Sequence, residues 1–401
     1  MSLDLTKVAA QVGEMVTRLK AGLAERQARL DYALDTLHRQ TEDLEHLKRK
    51  IIASRRTTTW LVAGLVEGLD QHYPALPLPA EFTVMATDGS HIDVDRHRSA
   101  RCYLINIGRV VLHYGSEPEA VLGSLPTLYA EEKDLVIAPS EGKGREQPIE
   151  GALLGAKRSV EECRHLAEMA AELPPGSSSL AVLDGSLILW GLEAYPDFVS
   201  ETLVDRGLLT HFDRMRELNQ DKELALASYI SRPRATDVVN ALRVAICPHD
   251  PADCDRYCMM GEKRACDAVA GLQDRELFAS LLEPGERSAL FISQSSVVEK
   301  RYGEHTVYFF YLRVDDEIAR VEIPLWVARN KDLVGLTHCL VLDQCQRGQG
   351  YPVALSEAHE QAVVTTADRE NFWQLVEANL VEEHLPTPTS GKSRSKRTRW
   401  V

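Results

Sequence analysis

The 401-residue sequence has no apolar run of about 18 residues, so no membrane-spanning helix is expected. Its opening residues, MSLDLTKVAA, lack the basic segment and apolar core of a secretory signal, which makes a cytoplasmic location the expectation. There is no basic excess either. A net charge of −14 argues mildly against a nucleic-acid partner. That objection is weak for an enzyme, because an acidic metal site and an acidic exterior both depress the total. Local charge matters more, and the last ten residues include Lys392, Arg394, Lys396, Arg397 and Arg399. H-x-x-x-H and H-E-x-x-H spacings are missing near His359, which excludes the common zinc-hydrolase helix. Gly391-Lys392-Ser393 lacks the upstream glycine and preceding strand of a phosphate-binding loop, so the chain is not expected to hydrolyse ATP by itself. Disulfides are not expected of the eight cysteines in a cytosolic setting. Cys102, Cys163, Cys339 and Cys345 lie in apolar or helical stretches and read as packing residues.

What is present is the composition of a soluble globular protein, 44% hydrophobic and 26% charged. Residues 1–60 carry a long helical pattern, with Leu30, Leu37, Leu44 and Ile51 recurring every seven residues. Gln27, Thr41 and Lys48 dilute the second seam, which favours a helical arm or hairpin over a perfect coiled coil. Pro-rich sequence then leads into strand FTVMATDGS, expected to break off at Asp88. Alternating residues over 99–115 predict antiparallel strands with Gly108 as a turn or bulge between them. A helix is predicted over 152–173, then strand SLAVLDGS, a helix over 200–225, and strand ALASYIS. A cysteine-rich insert (245–268), further strands (LFISQSSV, VYFFYLRV, ARVEIPLWVA) and helices near 331–345 and 368–383 complete a domain over 78–384. A basic tail over 385–401 reads as disordered.

The chemistry lies in two apolar strands that each end in Asp-Gly-Ser, at Asp88 and Asp184. An aspartate at a strand end is a carboxylate on a rigid element, and the glycine leaves room beside it. Mn²⁺ or Mg²⁺ takes such hard oxygen ligands together with water and phosphate. Two ions ~3.5–4 Å apart stabilise the attacking and leaving oxygens of a phosphodiester displacement. Either Asp-Gly alone is adequately explained as a turn. The repetition, with strands, a helix and a strand between, is the order of an RNase H-like mixed sheet flanked by helices. The helix before Asp184 offers Glu161, Glu162, Glu168 and Glu172, any of which also reads as part of a solvated face. Glu168 is the first choice for a third carboxylate, ahead of Glu161. His359, near a helix start, reads by itself as structural or exposed.

Taken in order, TDGSH (87–91), LAVLDGSL (180–187) and GYPVALSEAHE (350–360) resemble the three spaced motifs of the NurA nucleases. YISRPRATDVVNALR and ARVEIPLWVA are similar to segments between those motifs. The resemblance runs over about 80–375. It implies an RNase H-like core, Mn²⁺ dependence, degradation of DNA from 5′ ends and internal cutting of single strands. It also implies a homodimer docked to a hexameric HerA-type ATPase. Asp88 and Asp184 match metal ligands, Glu168 the helix acid, His359 a C-terminal ligand or phosphate contact, and Tyr351 a motif tyrosine. A lysine that relatives often place after the strand following the second Asp-Gly-Ser is replaced here by Tyr229-Ile230-Ser231-Arg232. Arg232 or Arg234 is the expected substitute for its charge.

Cys247, Cys254, Cys258 and Cys266 do not have zinc-ribbon spacing, yet four thiols in so short a stretch suit Zn²⁺ or a [4Fe–4S] cluster as well as no metal at all. Two other readings compete with a metal-dependent DNA nuclease. One is a non-catalytic DNA-repair assembly factor that uses the arm to dock a motor; the other is a different RNase H-like nuclease.

Overall fold

The computed structural model describes residues 4–95, 98, 100–139, 144–258 and 264–385; the expected basic tail beyond them lies outside the described residues. The chain forms two compact units. One comprises residues 75–230, 297–307 and 321–401, and the other residues 1–74, 231–296 and 308–320.

The first unit is a mixed sheet with helices on both faces. Its strands lie in the order Glu119–Tyr129, Tyr103–Tyr114, Phe82–Ile92, Ser178–Asp184 and Glu223–Ile230. The first three form an antiparallel meander, whereas Ser178–Asp184 runs parallel to Phe82–Ile92 and Glu223–Ile230 runs parallel to Ser178–Asp184. A parallel return needs a crossover, supplied by the Ala152–Glu172 helix. Pro174 and Pro175 follow that helix, as expected where the chain must leave helical geometry. Met85, Ile105 and Ile107 from the sheet pack with Cys163, Leu166 and Ala170 of the helix in one core.

Register decides what each residue faces. Side chains alternate along a strand. Met85 and Thr87 therefore share the face of the crossover helix, where Thr87 Oγ1 donates to the Glu162 carbonyl at 3.0 Å. Asp88 and Ser90 share the opposite face, where Ser90 Oγ donates to the Ala362 carbonyl. Thr87 pairs with Leu183, and this puts Asp88 and Asp184 at neighbouring positions on adjacent parallel strands.

Several expectations need correction. The Phe82–Ile92 strand does not break off at Asp88 but continues through Asp-Gly-Ser. Gly108 is neither turn nor bulge: it sits mid-strand, directly opposite Asp88. The glycine is needed because the Val353–Ala362 helix crosses there. A Cβ at Gly108 would lie 2.1 Å from the Ala358 carbonyl oxygen and 2.7 Å from the Ala362 nitrogen. The segment 200–225 is a short helical turn, a π-helix over Glu201–Leu208 and an α-helix over Leu209–Leu218, before the strand begins at Glu223.

The second unit explains the arm. Helices Leu5–Gln40 and Leu44–Ser54 are separated by a turn capped by Asp43. Leu37, Leu47 and Ile51 are fully buried against Leu242, Phe278 and Phe291. The heptad stripe is thus largely consumed by the unit's own core and is not held ready for a partner. Exposed apolar residues occur earlier, at Leu5, Val12, Met15, Val16, Leu19 and Leu23.

Gly108→Ala should destabilise the protein by about 1–3 kcal/mol or displace the Val353–Ala362 helix, because the new methyl meets backbone that has no rotamer to change. Gly123→Ala, on the neighbouring strand with nothing within 4 Å of a Cβ, should be close to neutral. Chemical denaturation of both variants compares them; equal stability would remove the close-approach argument.

Candidate active site

The site is assembled on the sheet face that carries the Val353–Ala362 helix. Gln361, Ala362 and their neighbours end this helix, and its terminal carbonyls need partners. Asn106 Nδ2 donates to the Ala362 carbonyl at 2.9 Å and Ser90 Oγ donates to the same oxygen. Ser124 Oγ fixes the amide by donating to Asn106 Oδ1 at 2.8 Å. With Gly108 below, these contacts set the helix so that His359, in its last turn and not near its start as expected, reaches Asp88. The His359 Nδ1 to Asp88 Oδ2 distance is 2.7 Å. An ionised carboxylate only accepts, so Nδ1 is the donor in this pair and Nε2 is the ring nitrogen left to face a ligand. The second Asp88 oxygen accepts from the Gly89 amide at 2.8 Å.

Asp184 stands at the end of its strand. Burial raises its pKa; repulsion from Asp88 adds to that, while hydrogen bonds from Tyr351 and the Gly185 amide work against it. Tyr351 is held edge-on to Tyr229, with ring centroids 5.5 Å apart. Burial and the neighbouring Asp184 both push its hydroxyl pKa well above the ordinary value, so it serves as a donor. Asp88, Asp184, His359 and Tyr351 are therefore brought together, as the motif pattern anticipates.

Glu168 is not. It faces Arg164 at 2.6 Å and His165 at 3.0 Å, in a local cluster along its own helix. Glu161 lies between Lys157 and Arg164, at 2.6 and 2.7 Å. The acid that senses both aspartates is Glu162. Burial raises its pKa to about 7, with Arg158 opposing and Asp88 and Asp184 reinforcing. It approaches from the other face of the Phe82–Ile92 strand, through the gap left by Gly89. A Cβ at Gly89 would lie 2.6 Å from Glu162 Oε1 and 2.8 Å from Arg158 Cγ. Arg158 Nε is 3.0 Å from Glu162 Oε1, poorly aligned for a hydrogen bond, and both atoms are buried.

The two Asp-Gly-Ser tripeptides thus use glycine differently. Gly89 is extended and admits a neighbouring side chain, whereas Gly185 turns the chain at a φ of 84°. The expectation preferred Glu168 and did not include Arg158, whereas the pair that lies beside the aspartates is Arg158 and Glu162. The Arg158/Glu162 spacing of four, adjacent to Lys157/Glu161, was the available signal, but nothing in it says which pair faces the sheet.

Among the described residues, no three His, Cys, Asp or Glu side chains are grouped closely enough to hold a metal ion as they stand. This includes the cysteine insert. Cys247, Cys254, Cys258 and Cys266 are free thiols. Burial raises the pKa of Cys258, and the other three thiols add to the effect, so the four lie within electrostatic reach without forming a cage. At the aspartate pair the residues nonetheless suit a divalent cation. Two adjacent carboxylates repel, a buried Glu162 oxygen lacks a well-aligned hydrogen bond, and the donors are hard oxygens plus one imidazole. Such a set is open, to be completed by water and phosphate oxygens.

A mixed sheet carries a hydrogen-bonded Asp–His pair beside a second Asp at a parallel strand end. The model of the NurA domain matches residues 82–364. The chain belongs to the NurA family and is a nuclease of that family. No curated protein sequence matches the chain. Among solved structures, the catalytic domain of human endonuclease V is similar at 15% identity over 84% of this chain and 98% of that one. Its TM-score is 0.33, too loose a likeness to carry any argument. Among the described residues no helix is long and apolar enough to cross a membrane.

The raised Glu162 pKa has two consequences of opposite sense. Between the exposed glutamate value of 4.5 and about 7 the folded metal-free protein holds a proton that the unfolded chain does not. This group's contribution to stability therefore falls as pH rises through that window. A cation instead favours the charged form, so Mn²⁺ affinity should climb as pH rises through about 7. Calorimetric titration should show this slope flattened in Glu162→Gln and retained in Glu168→Gln; the reverse pattern would restore Glu168 as the helix acid.

Proposed function

We propose that this protein is a Mn²⁺- or Mg²⁺-dependent DNA nuclease on an RNase H-like sheet. The observation that carries the reading is the pair Asp88 and Asp184 at neighbouring register positions, with His359 bonded to the first. Asp88, Asp184 and His359 would hold the cation. When bound, it supplies Lewis-acid stabilisation of a phosphoryl oxygen and lowers the pKa of a hydrolytic water.

The chain's own residues do the positioning. Asp88 orients the His359 ring through Nδ1, leaving Nε2 to bind or to accept a proton. Tyr351 fixes one Asp184 oxygen by donation and so sets where the other points. Glu162 adds negative potential from behind Gly89. Arg158, paired with Glu162, is the substitute this reading prefers for the lysine of the family pattern, in place of the expected Arg232 or Arg234.

The finer activity we infer from the family is 5′–3′ exonucleolytic and single-strand endonucleolytic cleavage in DNA end resection. Hydrolysis does not open a duplex, and no nucleotide-binding motif is present to drive unwinding, so processive resection requires a motor. A homodimer docked to a hexameric HerA-type ATPase supplies it. The exposed apolar residues of the first half of the Leu5–Gln40 helix are the surface this reading assigns to assembly.

Asp88→Asn and Asp184→Asn should each reduce DNA cleavage at least a hundredfold, while stability without metal holds or rises as like-charge repulsion is relieved. Wild-type activity should vanish in EDTA and return with Mn²⁺. Turnover of either variant within about tenfold of wild type would sink the assignment.

The arm is tested by truncation before residue 24, which spares the buried half. The shortened protein should cut short single strands normally but lose ATP-dependent degradation of blunt duplex in the mixture with the ATPase. Kilobase duplexes digested equally fast without the ATPase would show that no motor is needed.

A further inference from the structure

The crossover helix carries two ion pairs one residue apart. Arg158–Glu162 looks toward the aspartates; Lys157–Glu161 lines a separate cavity of about 700 Å³ in the same unit. That volume suits a small organic ligand. One wall is aromatic: Tyr129 stacks on the fully buried Tyr103, with centroids 4.7 Å apart. Val136, Ile137 and Leu203 continue it as apolar surface. The lining also carries charge, with Lys133, Lys157, Arg164 and Arg206 set against Asp134 and Glu161. On a chain of net charge −14 the lining itself carries four cations to two carboxylates, and Lys133 and Arg164 are also paired with Glu131 and Glu168 beyond it. His211 also lines it, half-buried, and its ring makes no hydrogen bond among the described residues. The back of the cavity is formed by the Glu201–Leu208 π-helix, a geometry often kept at binding sites.

We propose that this cavity binds a nucleoside monophosphate, with the base against Tyr129 and its apolar neighbours and the phosphate on Arg206, Lys157 and His211. An aromatic platform suits any base, and a phosphate satisfies guanidinium and ammonium donors together. Glu161 repels the same phosphate, so the ligand must compete with it for Lys157 and Arg164. That competition takes place one residue from Glu162. Occupancy would therefore be felt at the catalytic helix.

The test uses full-length protein in EDTA, where neither cleavage nor a bound metal contributes. Thymidine 5′-monophosphate, thymidine and inorganic phosphate are titrated separately by calorimetry and by ligand-observed NMR. The monophosphate should bind at least about tenfold more tightly than either fragment. Arg206→Gln, at an exposed position that cannot unsettle the core, should weaken it about tenfold or more, and Lys157→Gln likewise. Asp88→Asn should leave binding unchanged. Binding that survives both cavity variants and is lost with Asp88→Asn would put the nucleotide in the catalytic cleft and overturn the proposal. Equal affinity for inorganic phosphate, or no binding of the monophosphate, would overturn it too. None of these outcomes depends on whether the protein cleaves DNA.

Discussion

Two carboxylates side by side on adjacent parallel strands are the constraint around which the first unit is arranged. Left alone they repel, and burial of Asp184 makes its charge more costly still. Every polar neighbour answers that problem. His359 and the Gly89 amide take the two oxygens of Asp88, and Tyr351 with the Gly185 amide serve Asp184. The compensation is incomplete, because Glu162 brings a third carboxyl group close enough to be pushed toward neutrality. This under-compensated concentration of acid groups is what the proposed cation would neutralise. This is why the chemistry follows from the strand register more directly than from any single motif.

Placing His359 requires backbone-to-backbone contact. A helix can lie close to a strand only where a side chain is missing, and Gly108 provides that place directly opposite Asp88. Ser90, Asn106 and Ser124, one from each strand of the meander, then form a relay that ends on the helix's last carbonyls. Thus the three strands contribute to the candidate site even though only one of them bears an acidic side chain at it. The same strand has Gly89 one residue beyond Asp88, opening the other face to Glu162 and Arg158.

How much of this was legible beforehand can be judged residue by residue. The Asp88 and Asp184 strands and the crossover helix were readable because period-two and helical patterns are local properties, whereas the GYPVALSEAHE element was legible only as a motif resemblance. The helix acid was not. Glu161, Glu162 and Glu168 are chemically equivalent, and a helix's rotation about its axis depends on which apolar residues the sheet accepts. Cys163, Leu166 and Ala170 set that rotation, and it turns Glu162 inward while Glu168 remains with Arg164 and His165. Gly108 was misread for a similar reason: a glycine required by a helix remote in sequence leaves the same local signature as one required by a turn. The leucine stripe of the arm was read correctly as apolar, but periodicity does not say whether the partner is another chain or residues 231–296 of the same one.

Perturbed carboxyls do not by themselves mark a site, and the second unit shows the contrast. Asp274 is fully buried and its pKa is pushed up to about 6, by burial first and then by Asp237. Its surroundings, however, are closed. It accepts from the Val238 and Val239 amides at 3.1 and 2.8 Å, at the start of the Asp237–Ile246 helix, and from the Tyr311 hydroxyl at 2.6 Å. Asp237 is paired with Arg320, which lies over the Phe309 ring at 3.6 Å. Every donor is protein, so the cluster caps a helix and ties it to a strand. Glu162 has a similar burial but a buried oxygen without an aligned donor and two further carboxylates within its field. What separates Asp274 from Glu162, the acid of the proposed site, is not the size of the shift but whether the fold has already spent its partners.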